Sequence, residues 1–221
     1  MEITQLLLTP NKYSRPKIPL EKVKGIVIHY VGNPGSSALG NRNYFENLKN
    51  QTFGSPIYAS SHYIIGLEGE IIQCIPENEW AYCSNSRNKD TISIECCHPD
   101  ITGKFNKATY NALVELCRDI IKRYNIDEVI RHYDITGKLC PKYYVNNPAA
   151  WEMLKHKILY NDKEGNNVKR YNTIEEIPSY YQQAIEYLIN KGYLKGTETG
   201  LNLSEDMIRL LVINYRAGLY K

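Results

Sequence analysis

The sequence predicts an α/β protein: a central mixed β-sheet flanked by helices, followed by a small, mainly helical C-terminal domain. Three observations carry that prediction. Short apolar runs alternate with helical stripes over residues 25–159, as expected when strands and helices interleave in one layered domain. A polar, aperiodic stretch, Asn161-Asp162-Lys163-Glu164-Gly165-Asn166-Asn167, reads as a linker. Beyond it lie two more apolar stripes with their own start and stop signals. The expected division is therefore 1–159, 160–168 and 169–221.

The elements follow in chain order. Residues 25–31 form a continuous apolar run, as for a strand buried on both faces. Residues 43–48 fit a short helix carrying Tyr44, Phe45 and Leu48. Two short runs, 62–67 and 70–74, flank Glu68-Gly69, a hairpin signal. Over 91–97, Ile92, Ile94 and Cys96 alternate with Thr91, Ser93, Glu95 and Cys97, which predicts a half-buried strand. The clearest helix carries Leu113, Leu116, Cys117, Ile120, Ile121 and Tyr124 on one stripe. Residues 129–132 make another strand. Asn147-Pro148 then offers an N-cap and a first-turn proline to a helix bearing Trp151, Leu154 and Ile158. In the tail, Pro178 opens a helix with Ala184, Ile185, Leu188 and Ile189 inward, stopped by Gly192. Ser204 caps the last helix, Glu205 and Asp206 fill its first turn, and Met207, Leu210 and Leu211 are expected inward.

Composition narrows the function classes. The 221 residues are 43% hydrophobic and 23% charged, ordinary for a globular protein with a sizeable core. A formal charge of +3 is too small to predict nucleic-acid binding by bulk electrostatics. No transmembrane segment is expected, because no run approaches the ~18 apolar residues of a span. The start, Met1 to Pro10, lacks the basic, apolar and cleavage features of a secretory signal, which predicts synthesis in the cytoplasm. Six cysteines without a C-x-x-C pair do not form a disulfide framework. Nineteen tyrosines against three phenylalanines offer flat faces with polar tips, suited to polymers such as glycans.

Chemistry concentrates at three residues. His29 closes Gly25-Ile26-Val27-Ile28-His29, His132 ends Val129-Ile130-Arg131-His132, and Cys140 follows in Gly137-Lys138-Leu139-Cys140-Pro141. Singly, a strand-end histidine is a hydrogen-bonded structural residue and a cysteine before proline an inert thiol. Together, two imidazoles and a thiolate match a zinc site with its fourth tetrahedral position open, as catalytic zinc sites are built. Glu95 lies mid-strand among uncharged residues, where a carboxylate needs a partner or a task. Proton transfer is one such task, a salt bridge on an edge strand the other. Lys138, two residues before Cys140, is either an oxyanion stabiliser or a solvated surface lysine.

Four segments carry a resemblance. Ile26-Val27-Ile28-His29-Tyr30, Ser60-Ser61-His62-Tyr63-Ile64-Ile65-Gly66, Ser93-Ile94-Glu95 and Arg131-His132-Tyr133-Asp134 through Gly137-Lys138-Leu139-Cys140-Pro141 follow in the order found in zinc-dependent N-acetylmuramoyl-L-alanine amidases. Over 20–159 the chain resembles that family, which includes phage lysozyme-like amidases, bacterial autolysins and peptidoglycan recognition proteins. The resemblance implies a mixed sheet with Zn2+ in an open groove. It also implies cleavage of bacterial peptidoglycan between the lactyl group of N-acetylmuramic acid and L-alanine. His29, His132 and Cys140 match the metal ligands, Glu95 and Lys138 the catalytic pair, and His62 a histidine outside the ligand set. Tyr30, Tyr63 and Tyr82 are expected to line the groove. In one departure, related sequences often place a histidine after an aromatic residue where this chain reads Ala81-Tyr82-Cys83-Ser84.

In the tail, Tyr171-Asn172-Thr173-Ile174-Glu175-Glu176-Ile177-Pro178, Lys191-Gly192-Tyr193-Leu194-Lys195-Gly196 and Leu201-Asn202-Leu203-Ser204-Glu205-Asp206-Met207 resemble C-terminal modules of clostridial phage endolysins. That implies a targeting role with a cell-wall polymer as ligand; the alternative is a structural or oligomerisation unit. Its seven basic and six acidic residues nearly cancel, so wall binding would rest on specific contacts. The combined expectation is a phage or prophage endolysin, made in the cytoplasm and acting at the wall after release. Beside it stand a cytoplasmic muropeptide-recycling amidase, a non-catalytic peptidoglycan-binding protein of the same fold and a cysteine peptidase using Cys140.

Overall fold

A computed structural model describes residues 1–52, 54–160, 169–197 and 200–220. The chain divides into two compact units, Met1–Tyr160 and Asn161–Lys221. Residues 161–168, where the expected linker falls, lie outside the described residues.

Six strands build the first unit: β1 (Ile3–Gln5), β2 (Gly25–Tyr30), β3 (Tyr63–Ile65), β4 (Ile71–Gln73), β5 (Thr91–Cys96) and β6 (Glu128–Arg131). They lie in the order β1-β4-β3-β5-β2-β6, and only the β3–β4 pair is antiparallel. The sheet is thus mixed, as expected. The β3–β4 turn needs glycine at residue 69, where φ is +82° and a Cβ would lie 3.1 Å from the Ala108 carbonyl oxygen. Five helices accompany the sheet: α1 (Ala38–Asn47), α2 (Lys107–Tyr124), α3 (His132–Thr136), α4 (Lys142–Asn146) and α5 (Pro148–Leu159).

Strand alternation divides the core. Ile26, Ile28, Tyr63, Ile65, Ile92 and Ile94 point to one face, where Leu113, Leu116 and Ile120 of α2 pack with Trp151 and Leu154 of α5. Ile64 and Ile72 point to the other, beneath Phe45 of α1 and Leu48. Each fully buried isoleucine or leucine contributes about 1.5–3 kcal/mol. By the same alternation, His29 and Glu95 belong to the second face.

Several boundaries move. Helix α1 begins at Ala38 because the Ser37 hydroxyl accepts from the Gly40 N–H at 3.1 Å. Helix α2 begins at Lys107, capped by the Asn106 side chain, which accepts from the Thr109 N–H at 2.9 Å. Both caps precede the periodic apolar residues and leave no trace in the stripe. Strand β5 is buried on both faces, not half-buried, with Thr91 and Ser93 each 1% exposed. It lies between β3 and β2 with both sheet faces covered. β1, α3 and α4 are too short to show a period and were not foreseen.

The second unit pairs β7 (Arg170–Tyr171) antiparallel with β8 (Leu203–Ser204), and adds α6 (Ser179–Asn190) and α7 (Glu205–Arg216). Its core joins Tyr171, Ile177, Ala184, Ile185, Leu188, Leu203, Ile208 and Val212. The expected inner face of α7 is corrected. Met207 and Leu210 are 46% and 60% exposed, whereas Ile208 and Val212 turn inward. Apolar residues occupy positions 207, 208 and 210–213, so periodicity alone did not select the phase. Ser204 does cap this helix, its hydroxyl accepting from the Met207 N–H. Among the described residues, no helix is long and apolar enough to cross a membrane.

Candidate metal centre

The candidate ligands converge where three chain segments meet. β2 carries His29 near its C-terminal end, and the parallel register sets it beside Glu95 of β5. β6 ends at Arg131, and His132 is the first residue of α3. An Asp134 side chain accepts from the Arg131 backbone N–H at 2.8 Å and pairs with its guanidinium, which fixes this strand-to-helix corner. α3 ends at Thr136 with Gly137 as its C-cap, and the chain then returns so that the Tyr133 N–H donates to the Cys140 carbonyl at 2.9 Å.

Donor atoms of His29, His132 and Cys140 all lie within 4.8 Å of one another. The rings of the two histidines meet edge-on, with centroids 4.8 Å apart. All three residues are buried. Burial, then the nearby His132 and Lys138, pushes the His29 pKa well below its usual value. Burial and Lys138 lower that of His132. Both imidazoles are therefore held in the neutral form that a metal requires. Burial, reinforced by Glu95, pushes the Cys140 thiol up to about 12. A bound cation would reverse that preference, since thiolate is the ligand form.

These groups open into a cleft of about 470 Å³ lined also by Tyr30, Tyr58, Tyr82, Asn85 and Lys138. Burial pushes the Glu95 carboxyl up to about 8, opposed by hydrogen bonding from Cys83 and by the charge of Lys138. The Cys83 thiol sits 3.6 Å from Glu95 Oε1, while Oε2 is buried without a hydrogen-bond partner. Cys83 therefore faces the carboxylate. His29, Cys83 and Glu95 also form a second, overlapping donor cluster.

Not every expected residue reaches the cleft. Tyr63 is corrected: it is 3% exposed and lies on the opposite face of the sheet, with its hydroxyl donating to Glu77 at 2.8 Å. One step of strand alternation separates it from the cleft side. His62 lies outside both donor clusters and bridges Ser93 and the Glu79 carbonyl. Sequence reasoning missed Tyr58, Ser84, Asn85 and Asn88. Tyr58 lies in a loop and the other three in and beside the short 3-10 turn Asn85–Arg87, and only Asn85, with φ of 51°, has unusual backbone geometry.

The residues present fit a metal ion. Two neutral ring nitrogens and a sulfur at this spacing are donors suited to zinc. The orphaned Glu95 oxygen supports the same conclusion, because a buried carboxylate needs a cationic or hydrogen-bonding partner.

Sheet, cleft and donor set together make a candidate metal site at the ends of parallel strands. The chain belongs to the N-acetylmuramoyl-L-alanine amidase family, whose model matches residues 19–143. The N-acetylmuramoyl-L-alanine amidase CwlL of Bacillus licheniformis is 31% identical over 176 residues, covering 72% of this chain and 47% of that protein. The amidase BlyA of Bacillus subtilis strain 168 is 30% identical over 178 residues, covering 70% and 46%. The chain thus spans about half the length of these relatives. The solved structure of PlyL aligns with a TM-score of 0.60 at 26% identity, over 72% of this chain and 98% of that one.

Proposed function

We propose that the unit spanning 1–159 is a zinc-dependent N-acetylmuramoyl-L-alanine amidase. Its substrate is bacterial peptidoglycan, cut between the lactyl group of N-acetylmuramic acid and the L-alanine of the stem peptide. The carrying observation is the gathering of His29, His132 and Cys140 beside Glu95 and Lys138, in one cleft of a chain from this family.

His29, His132 and Cys140 would hold the ion. When bound, zinc supplies Lewis acidity to the scissile carbonyl and acidifies the attacking water. Glu95 takes that water's proton and delivers it to the departing alanine nitrogen. Burial raises this carboxyl's proton affinity, which suits delivery to the nitrogen, and a bound cation beside it would lower that affinity again for the acceptance. Lys138, exposed at the cleft, stabilises the charge that develops on the carbonyl oxygen. Tyr30 and Tyr82 offer flat contact surfaces to the substrate.

In this reading the protein is a phage or prophage endolysin acting at the cell wall, and 169–221 attaches it to a wall polymer. The test digests purified walls with and without chelator, scoring freed L-alanine amino groups against new reducing sugar ends. Amino groups alone, lost on chelation and restored by zinc, support the amidase. New reducing ends reject it.

A further inference from the structure

We propose that Asn85 is a positioning residue that fixes the ring tautomer of His132, so that this histidine presents Nδ1 to the metal. The inference rests on the metal-site reading above, and it concerns a residue outside the ligand set.

Asn85 opens a short 3-10 turn, Asn85–Arg87, on the rim of the cleft. Its Oδ1 lies 3.0 Å from Nε2 of His132. An amide oxygen accepts hydrogen bonds and never donates them. The contact therefore requires a proton on Nε2, and a neutral imidazole protonated there leaves Nδ1 with a bare lone pair. His29 is oriented in the same sense: its Nε2 is 3.3 Å from the Ser84 hydroxyl, while its Nδ1 faces Cys140 Sγ at 3.8 Å. Serine both gives and accepts, so Ser84 orients the His29 ring without choosing its tautomer. Asn85 makes the choice for His132.

The turn is built to hold that amide in place. Asn88 Oδ1 accepts from the backbone N–H groups of Cys83 and Ser84, at 3.2 and 2.7 Å. Asn85 itself has φ of 51°, in the left-handed region that asparagine and aspartate tolerate better than other side chains. A residue serving the turn alone would be replaceable by glycine, which adopts that backbone at no steric cost. A residue that selects a tautomer would not.

This difference defines the experiment. Wild type, Asn85→Gly and Asn85→Asp are compared as full chains; aspartate keeps an oxygen acceptor and tolerates the same backbone. Zinc affinity is measured by competition with a chromophoric chelator. The ring-nitrogen tautomer of His132 is read by 15N NMR on the metal-free protein. The expected result is an Nε2–H tautomer in the wild type. Asn85→Gly should show mixed tautomers and about 10- to 100-fold weaker zinc binding, with an unchanged thermal midpoint of the metal-free protein. Asn85→Asp should restore both tautomer and affinity. Zinc binding by Asn85→Gly as tight as wild type overturns the proposal. So does an Nδ1–H tautomer in the wild type, or an Asn85→Asp variant as weak as glycine. Absence of zinc binding by the wild type sinks the functional reading, and the tautomer spectrum then still decides this one.

Discussion

Nδ1 of His29 and Sγ of Cys140 lie 3.8 Å apart, although 111 positions separate them in the chain. A strand end supplies one and a loop after a short helix the other, so the contact exists only in the folded unit. Cys140→Ser exchanges a sulfur donor for a poorer oxygen donor of similar shape. The variant should keep its circular-dichroism spectrum and lose most of its zinc affinity and activity. Zinc titration against a competing chelator checks this, and an unchanged affinity would remove Cys140 from the ligand set.

Glu95 and Lys138 are expected to affect turnover without emptying the site. Glu95→Gln removes the proton acceptor and should lower kcat by about 10²- to 10⁴-fold. Lys138→Met removes the cation and should cost about 10²- to 10³-fold. Stem-peptide release from soluble muropeptides, normalised to bound zinc, measures both. A loss that tracks zinc content would make either residue structural instead.

Glu77 anchors the far side of the sheet. Arg123 donates to it at 2.8 Å, and the hydroxyls of Tyr63 and Tyr124 donate at 2.8 and 2.9 Å. Burial alone would raise its pKa, but these hydrogen bonds outweigh burial and hold it below the usual carboxylate range. Its contribution to stability is therefore present above the unfolded value of about 4.3 and lost as pH falls through the folded one. Glu77→Gln should cost about 1–3 kcal/mol at neutral pH, where it removes one of the two carboxylates that pair with Arg123, Asp119 being the other. Urea unfolding should show that gap shrinking as the buffer is taken below about pH 4. A gap constant with pH would exclude this role.

The orientation of α7 makes a paired prediction. Ile208 is fully buried and Leu210 is 60% exposed. Ile208→Ala should destabilise the second unit by about 2–4 kcal/mol, and Leu210→Ala by about 0.5 kcal/mol or less. Unfolding followed by hydrogen exchange within 169–220 distinguishes them. The reverse ranking would restore the phase that the sequence suggested.

Ending the chain after Tyr160 removes the second compact unit while leaving every candidate site residue in place. The truncated protein should hydrolyse soluble muropeptides at the full-length rate but sediment less with intact walls. Equal co-sedimentation of the two forms would exclude targeting by the C-terminal unit.

The site residues that sequence exposes are those set against a uniform background. His29 and Glu95 interrupt apolar strands, and His132 and Cys140 occupy the end of a run and a glycine-proline loop. Ser84 and Asn85 sit in Ser84-Asn85-Ser86-Arg87-Asn88, a run of ordinary turn formers. Nothing in such a run announces that two neighbouring side chains reach two imidazoles from distant segments. Tyr63 illustrates the opposite error. It belongs to a recognisable segment, yet a single step along a strand sends it to the other side of the sheet. The phase of α7 was illegible for a third reason, because apolar residues there satisfy more than one buried face.

His29 and Glu95 are lateral partners on adjoining parallel strands. Their relative placement is consequently dictated by backbone ladder spacing, about 4.8 Å between strands, and not by any surface connection. Tyr58, Tyr82, Asn85 and Asn88 around them hang from segments outside that ladder. Exchange of those segments would reshape the walls of the cleft while the Glu95 carboxylate and the neighbouring His29 imidazole keep their rung, an arrangement that lets the lining drift without rebuilding the donor cluster.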